Sequence, residues 1–294
     1  MLQDLQKFYE KEGRHKLPWR LTSDPYKILV SELMLQQTQV NRVLPKYREF
    51  LRAFPTVGSL AKAPLSQVLF HWQGLGYNRR AKFLHEAAKV VVKEYGGKLP
   101  PEPELLQKLP GIGPYTARAV AAFAFNQPVV FIETNIRTVY FHHHFLVQPE
   151  KPKTTVNAKW IDISIHSFSD NTGKSPLRKI SDAELLPLIA KDLKRSKMEP
   201  RAFYWALMDY GSYLKRQGVK LNQHSKHYTK QSKFEGSPRQ LRGAILKRLL
   251  GSPATAAQLQ KSSGRTLLEV QKALSQLQQE GLIFRQGLRF AVAK

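Results

Sequence analysis

One acid stands in a run of apolar residues: Ile28-Leu29-Val30-Ser31-Glu32-Leu33-Met34-Leu35. If this run is helical, Ile28 and Leu35 share a face with Glu32, because side chains three and four positions apart stack along a helix. A carboxyl on so apolar a face either points into a polar cleft or has its pKa raised by burial. The same placement also suits a structural glutamate satisfied by an arginine or a backbone group. A second cluster is Leu109-Pro110-Gly111-Ile112-Gly113, a glycine-bearing turn between two helical stretches. Gly111 and Gly113 let the chain bend sharply and bring amide N–H groups up to an anion, and the next helix adds the positive end of its dipole. Such a turn can grip a nucleic-acid phosphate without reading sequence. A lone glycine pair of this kind is more often just a turn. His142-His143-His144 offers imidazoles, but three adjacent histidines do not converge on one metal from a helix or a strand, so no metal is expected. The chain has no cysteine, which excludes disulfides, thiolate catalysis and any cysteine-ligated zinc or iron–sulfur centre.

These groups must be positioned by helices. Asp24-Pro25 opens one, the aspartate capping and the proline taking the first turn, and the pattern carries it to about Val40. Further helices fit 43–53, 64–69, 78–95 and 103–109, and the alanine-rich stretch from Pro114 to Asn126 is strongly helical. Residues 146–182 are polar and hold Pro149, Pro152, Gly173 and Pro176, which reads as a loop-rich insertion. Helices resume over 182–195 and 200–216. Gly236-Ser237-Pro238 marks a linker, so the chain divides into a core over 1–234 and a C-terminal module over 237–294. That module reads as helices at 239–250, 254–261 and 266–280 followed by a small hairpin, Leu282 to Val292. Three helices and a hairpin resemble a winged-helix domain, whose third helix commonly enters a DNA major groove, although many such domains bind protein instead.

Composition names the kind of partner. The chain of 294 residues carries 47 Lys and Arg against 22 Asp and Glu, a formal charge of +25. A folded chain this basic usually meets a polyanion, most often nucleic acid. Ten basic residues and one acid, Glu235, lie between Lys215 and Arg248. They read either as phosphate contacts or as a solvated linker. No apolar run is long enough to span a membrane and no secretory signal opens the sequence, so a cytoplasmic, nucleoid-associated monomer is expected.

Longer strings carry a resemblance. Ser31-Glu32-Leu33-Met34-Leu35-Gln36-Gln37-Thr38-Gln39-Val40 resembles the catalytic helix of the MutY-type adenine DNA glycosylases, members of the helix-hairpin-helix (endonuclease III) superfamily. The likeness runs through Leu17-Pro18-Trp19-Arg20, Pro25-Tyr26-Lys27, Phe54-Pro55-Thr56-Val57 and Trp72-Gln73-Gly74-Leu75-Gly76-Tyr77-Asn78-Arg79-Arg80-Ala81. It continues through the string from Leu109 to Ala117, covering roughly residues 5–140, and resumes near 203–211. The resemblance implies a mainly α, bilobal helix-hairpin-helix glycosylase core, followed here by the winged helix. It implies that Glu32 protonates N7 of an extruded adenine, since the base leaves as an anion unless a proton neutralises it. The sugar, left with oxocarbenium character, needs a carboxylate below its ring. Gln37, Thr38, Leu75 and Tyr77 fall where the family wedges into the duplex and meets the base opposite. Arg20, Gly111 and Gly113 fall at DNA-contacting positions.

Three departures qualify that picture. The family's second carboxylate is an aspartate two residues before an asparagine; Asn135 is kept, but the position holds Glu133. One extra methylene displaces the carboxylate by about 1.5 Å on an unchanged backbone, and such a misplacement can cost about a hundredfold in rate. Tyr115 stands where bifunctional relatives carry a Schiff-base lysine, which implies a monofunctional enzyme with Tyr115 and Asn135 orienting the carboxylates. The four cysteines that bind an iron–sulfur cluster in the family are missing, and the C-terminal module is too short for the Nudix-like domain that reads 8-oxoguanine. The expected function is excision of adenine opposite guanine or 8-oxoguanine in double-stranded DNA, without a cofactor. Excision of another base, lesion binding without chemistry, and transcriptional regulation through the winged helix are the rival readings.

Overall fold

The computed structural model describes residues 1–145, 179–229 and 233–293. It is mainly helical, and the chain forms two units, each discontinuous in sequence: residues 1–21 with 121–230, and residues 22–120 with 231–294.

In the first unit, α1 (Leu2–Glu12) leads to a 3-10 turn at Pro18–Arg20. The end of α8 (Pro114–Phe125), then α9 (Thr134–His144), α10 (Asp182–Arg195) and α11 (Pro200–Arg216), complete it. Helix α1 lies on α11 through Phe8, whose ring meets Tyr210 at 5.1 Å and Tyr213 at 5.2 Å. The rings of Phe131 and Tyr204 stack at 3.9 Å beneath the start of α9. Helix α11 crosses α9 at Gly211, where a Cβ would lie 2.1 Å from the carbonyl oxygen of Asn135. No residue with a side chain fits there.

The second unit holds α2 (Pro25–Leu35), α3 (Val40–Ala53), α4 (Val57–Lys62), α5 (Leu65–Trp72), α6 (Arg79–Glu94), α7 (Pro103–Leu106) and the start of α8. Asp24 caps α2 as its sequence predicts, accepting from the amides of Tyr26 and Lys27. Helix α2 is buried on every side, from Ile28 through Met34. It stops at Leu35 rather than running to Val40, because Gln37 takes a left-handed conformation (φ 53°) that breaks the helical ladder. Helix α3 therefore starts at Val40, three residues before the expected Val43. Helix α4 was not expected; Thr56 and Ser59 form a capping box that starts it.

The same unit takes in the C-terminal residues: α12 (Pro238–Gly251), β1 (Ala254–Thr255), α13 (Ala256–Ser263), α14 (Leu267–Gln279), β2 (Ile283–Gln286) and β3 (Arg289–Val292). The strands pair antiparallel in the order β1-β3-β2, with Ile283 opposite Val292. The expected three helices and hairpin are present, plus the short strand β1 that was not foreseen. The module rests on α5 and α6: Lys82 donates to the Glu280 carbonyl at 2.7 Å, and Arg242 pairs with the Glu280 carboxylate. The insertion lies outside the described residues from 146 to 178. Its tail is anchored at Ile180, whose amide donates to the His224 carbonyl at 2.9 Å.

Candidate active site

In the second unit, Glu32 is 7% exposed in the middle of α2. One of its carboxylate oxygens, Oε2, accepts a hydrogen bond from the Tyr115 hydroxyl at 3.2 Å. Tyr115 stands in the first turn of α8, directly after the glycine hairpin, so the hairpin that could hold a phosphate also delivers the partner of the acid. At the next residue, Thr116 accepts from the Gln36 amide at 3.2 Å and fixes the end of α2 against α8. The two glycines of the hairpin differ in role. Gly111 is left-handed (φ 72°), and a Cβ there would fall 2.4 Å from Cβ of Phe83. Nothing lies within 4 Å of the corresponding position at Gly113, which leaves its backbone open to an approaching anion.

The residue that organises the other side of α2 is Arg80, 8% exposed. Its Nη1 donates to the carbonyls of Leu33 (2.5 Å), Met34 (3.0 Å) and Gln36 (2.7 Å). Its Nη2 donates to Thr38 Oγ1 (3.2 Å) and to the carbonyls of Leu75 (3.3 Å) and Gly76 (3.1 Å). A helix ends in unsatisfied carbonyls carrying partial negative charge, and one guanidinium here satisfies those of α2 and of the loop before α6 together. Burial brings the Arg80 pKa down to about 10, which leaves it charged at neutral pH. Sequence reasoning quoted Arg80 within a motif but gave it no role. The signal for it was its basic side chain next to a loop with two glycines.

Arg80 thereby sets Gln37 and Tyr77, and both are left-handed at non-glycine residues (φ 53° and 48°). Such backbone costs of order 1–3 kcal/mol and persists where the surroundings over-determine it. Gln37 is exposed and Tyr77 half-buried, which suits the wedge positions expected of them. The other two expected contacts behave differently. Leu75 is 3% exposed, a core residue beside Trp72, because its carbonyl must face Arg80. Thr38 turns its hydroxyl inward to the Gln36 carbonyl at 3.2 Å and to Arg80.

In the first unit, Glu133 is the N-cap of α9. Its Oε1 accepts from the amides of Asn135 (2.7 Å) and Ile136 (2.9 Å), and its Oε2 from Asn135 Nδ2 (3.2 Å). Asn135 Oδ1 in turn accepts from the Lys215 ammonium at 2.9 Å. Burial lowers the Lys215 pKa, and the nearby Glu133 charge pulls it partly back. Lys215, the first of the basic run read from sequence either as phosphate contacts or as a solvated linker, is thus turned inward as the partner of Asn135. Arg20 also differs from its expectation. Its side chain is 4% exposed and holds Asp209 through Nη1 (2.6 Å) and Nη2 (2.9 Å), which takes it away from DNA. Arg14 adds its own amide (2.8 Å) and Nε (2.6 Å) to the same carboxylate. Burial pushes the Asp209 carboxyl up, but these two guanidiniums outweigh it and leave the pKa below the ordinary value. The structure therefore brings together Glu32 with Tyr115, and Glu133 with Asn135.

Residues 30–161 match the family model described as the HhH-GPD superfamily base excision DNA repair protein. Over that stretch the chain is similar to this family. Over 133 residues it is 47% identical to the adenine DNA glycosylase of Mycobacterium tuberculosis, a match covering 45% of this chain and 43% of that one. Over 160 residues it is 36% identical to the adenine DNA glycosylase of Buchnera aphidicola, covering 54% and 43%. The chain thus spans less than half the length of these curated relatives. Among solved structures, a thermostable thymine-DNA glycosylase superposes with a TM-score of 0.55 at 24% identity, over 77% of this chain and 94% of that one. This likeness supports the fold.

The HhH-GPD resemblance raised the question of an iron–sulfur cluster, and the residues here do not fit one. There is no thiolate to ligate iron. The segment after α11 is held instead by hydrogen bonds and burial. Leu221 is buried, Asn222 Nδ2 donates to Thr138 Oγ1 at 3.1 Å, and the Lys226 amide donates to the Ile180 carbonyl at 3.0 Å. The three histidines form the last turn of α9, where the ring of His143 stacks on Tyr210 at 5.7 Å. Among the described residues, no cluster of His, Asp or Glu is arranged to hold a metal ion.

Proposed function

We propose that this chain is a monofunctional DNA glycosylase that hydrolyses the N-glycosidic bond of adenine paired with guanine or 8-oxoguanine. The observation that carries the reading is Glu32, a buried carboxyl on an apolar helix with the Tyr115 hydroxyl on one of its oxygens. In the proposed reaction Glu32 gives its proton to N7 of the extruded base. The C1′–N9 bond then breaks, its electron pair leaving with adenine, which departs neutral. The deoxyribosyl cation is stabilised by the Glu133 carboxylate and captured by water at C1′, which releases a proton. Tyr115 orients Glu32, and Asn135 orients Glu133. A tyrosine at 115 offers no amine for a Schiff base, so strand cleavage is not part of the chemistry. The 36–47% identity to adenine glycosylases favours adenine over other bases.

A second reading, lesion binding with slow or absent chemistry, draws on Glu133. Its carboxylate already accepts three hydrogen bonds, and the Lys215 ammonium bound to its neighbour Asn135 lies close enough to act on its charge. A cation held there competes with the cation that the reaction must form.

One experiment decides between them. Excess protein is mixed with end-labelled duplexes carrying adenine opposite 8-oxoguanine, adenine opposite guanine, or other lesions, and abasic sites are revealed with alkali. Alkali-dependent cleavage at adenine is expected, and Glu32→Gln should abolish it while binding persists. Cleavage by Glu32→Gln at the wild-type rate would remove Glu32 from the role of acid. In the same assay Glu133→Asp should raise the rate, up to about a hundredfold if side-chain length is what limits the native enzyme. Tight binding with no cleavage at any base would establish the second reading.

A further inference from the structure

Two cavities in the second unit share Gln37, Tyr77, Asn78 and Arg239, so these four side chains form the ridge between them. On one side, a cavity of about 340 Å³ includes the hairpin glycine Gly111. On the other, a groove of about 800 Å³ runs between α12 of the C-terminal module and the loop from Gln73 to Tyr77. The larger groove is lined by four cations, Arg42, Lys46, Arg239 and Lys247, and among the described residues by no carboxylate. Lys46 is paired with an acid at its edge, Glu49, at 2.8 Å. The remaining polar lining is rich in amides, such as Gln39 and Gln240, and Phe234 lies 55% exposed in it. A lining of cations, side-chain amides and an open aromatic face makes a surface suited to a nucleic-acid strand. Arg239 crosses the ridge: its guanidinium lies 5.4 Å from the centre of the Tyr77 ring and hydrogen-bonds the Tyr77 hydroxyl.

We propose that this groove seats the DNA strand opposite the one gripped by the glycine hairpin, with Arg239 and Lys247 of α12 supplying phosphate contacts from the C-terminal module. The proposal rests on the glycosylase reading. If the hairpin holds a phosphate of the strand that loses its base, the far side of the Gln37–Tyr77 ridge faces the partner strand. The surface of the module that meets the duplex is then α12, with α14 turned to other uses. Helix α14 fits this division: its residues from Leu267 to Gln279 include one lysine and one glutamate, and Leu268 is 77% exposed. It offers little positive charge to a phosphate backbone.

The test uses the whole chain and a duplex with adenine opposite 8-oxoguanine. Binding is measured across a salt series for the native protein and for the double variant Arg239→Gln, Lys247→Gln. Losing two phosphate contacts should make the slope of log K against log[salt] shallower by about 1.8. A photo-crosslinker placed at Gln240, exposed on α12, should label the 8-oxoguanine strand. An unchanged slope, or crosslinks confined to the adenine strand, overturns the proposal. Tighter binding by Arg239→Gln alone also overturns it, since the module would then be shielding Tyr77. Native protein that cuts at adenine while the variant keeps its slope sinks only the groove. Native protein that neither binds the duplex nor cleaves it sinks the glycosylase reading itself.

Discussion

At the scale of single residues, the most consequential side chain is Arg80, not either of the carboxylates. It fills six acceptor positions that would otherwise be orphaned in a buried turn, and it does so at the end of the helix carrying Glu32. Arg80→Met should cost about 3 kcal/mol, the size expected when one partner of a buried charged network is removed. For a chain of this length that lowers Tm by roughly 6–12 °C, and it should also weaken duplex binding by releasing Gln37 and Tyr77. A calorimetric Tm within about 2 °C of the native value would contradict this account. The resemblance implies that Tyr115 orients the carboxylates, and in the fold its hydroxyl donates to Glu32. Sequence reasoning missed Arg80 because an arginine beside a loop does not reveal whether it faces water or a cage of five carbonyls and a hydroxyl. Arg20 failed for the same reason: charge is legible in a sequence, direction is not.

At the scale of elements, the start and stop of α2 show where local signals suffice. The aspartate and proline at its start are strong enough to fix the boundary. The stop depends on a left-handed glutamine that only tertiary bonds to Arg80 justify, so no local rule places it. The crossing of α9 and α11 was likewise hidden. Gly211 ends the stretch near 203–211 where the resemblance resumes, yet its reason, the Asn135 backbone directly against it, lies 76 residues earlier. Gly211→Ala should push α11 off α9, displace Asn135 and loosen the cap that Glu133 forms. Cleavage of adenine should fall by at least tenfold in Gly211→Ala, while the salt dependence of binding, set by the other unit, stays native. Native cleavage rates in this variant would show that the helices can separate without moving the carboxylate.

At the scale of the whole molecule, titration gives a test that does not depend on DNA. His85 on α6 is 2% exposed, and burial, followed by the charge of Lys89, holds its pKa below the ordinary value. Above about pH 6.5 the ring is neutral in both folded and unfolded chains, and it has no effect on stability. Below that, the unfolded chain takes up a proton that the folded one refuses, so stability falls as the solution is acidified. Denaturant midpoints at pH 7.5, 6.5 and 5.5 should therefore decline, and His85→Gln should flatten the decline. Equal losses in both proteins would assign the effect elsewhere. The net charge of +25 pointed to a polyanion from composition alone, but that Arg42, Lys46, Arg239 and Lys247 line one groove needed the fold.

The Asp209 clamp also dictates an order of events during synthesis. Its arginines lie at positions 14 and 20, so 189 to 195 residues separate the partners. The segment that carries the two arginines is made before its anion and must wait for those 189 to 195 residues of synthesis until the anion arrives. Until then, α1 exposes Leu5 and Phe8, both buried in the finished protein, with nothing to cover them. Contacts of such long range are slow to close and leave apolar surface open to aggregation meanwhile. Covering that surface falls to α11, the same helix that brings the anion.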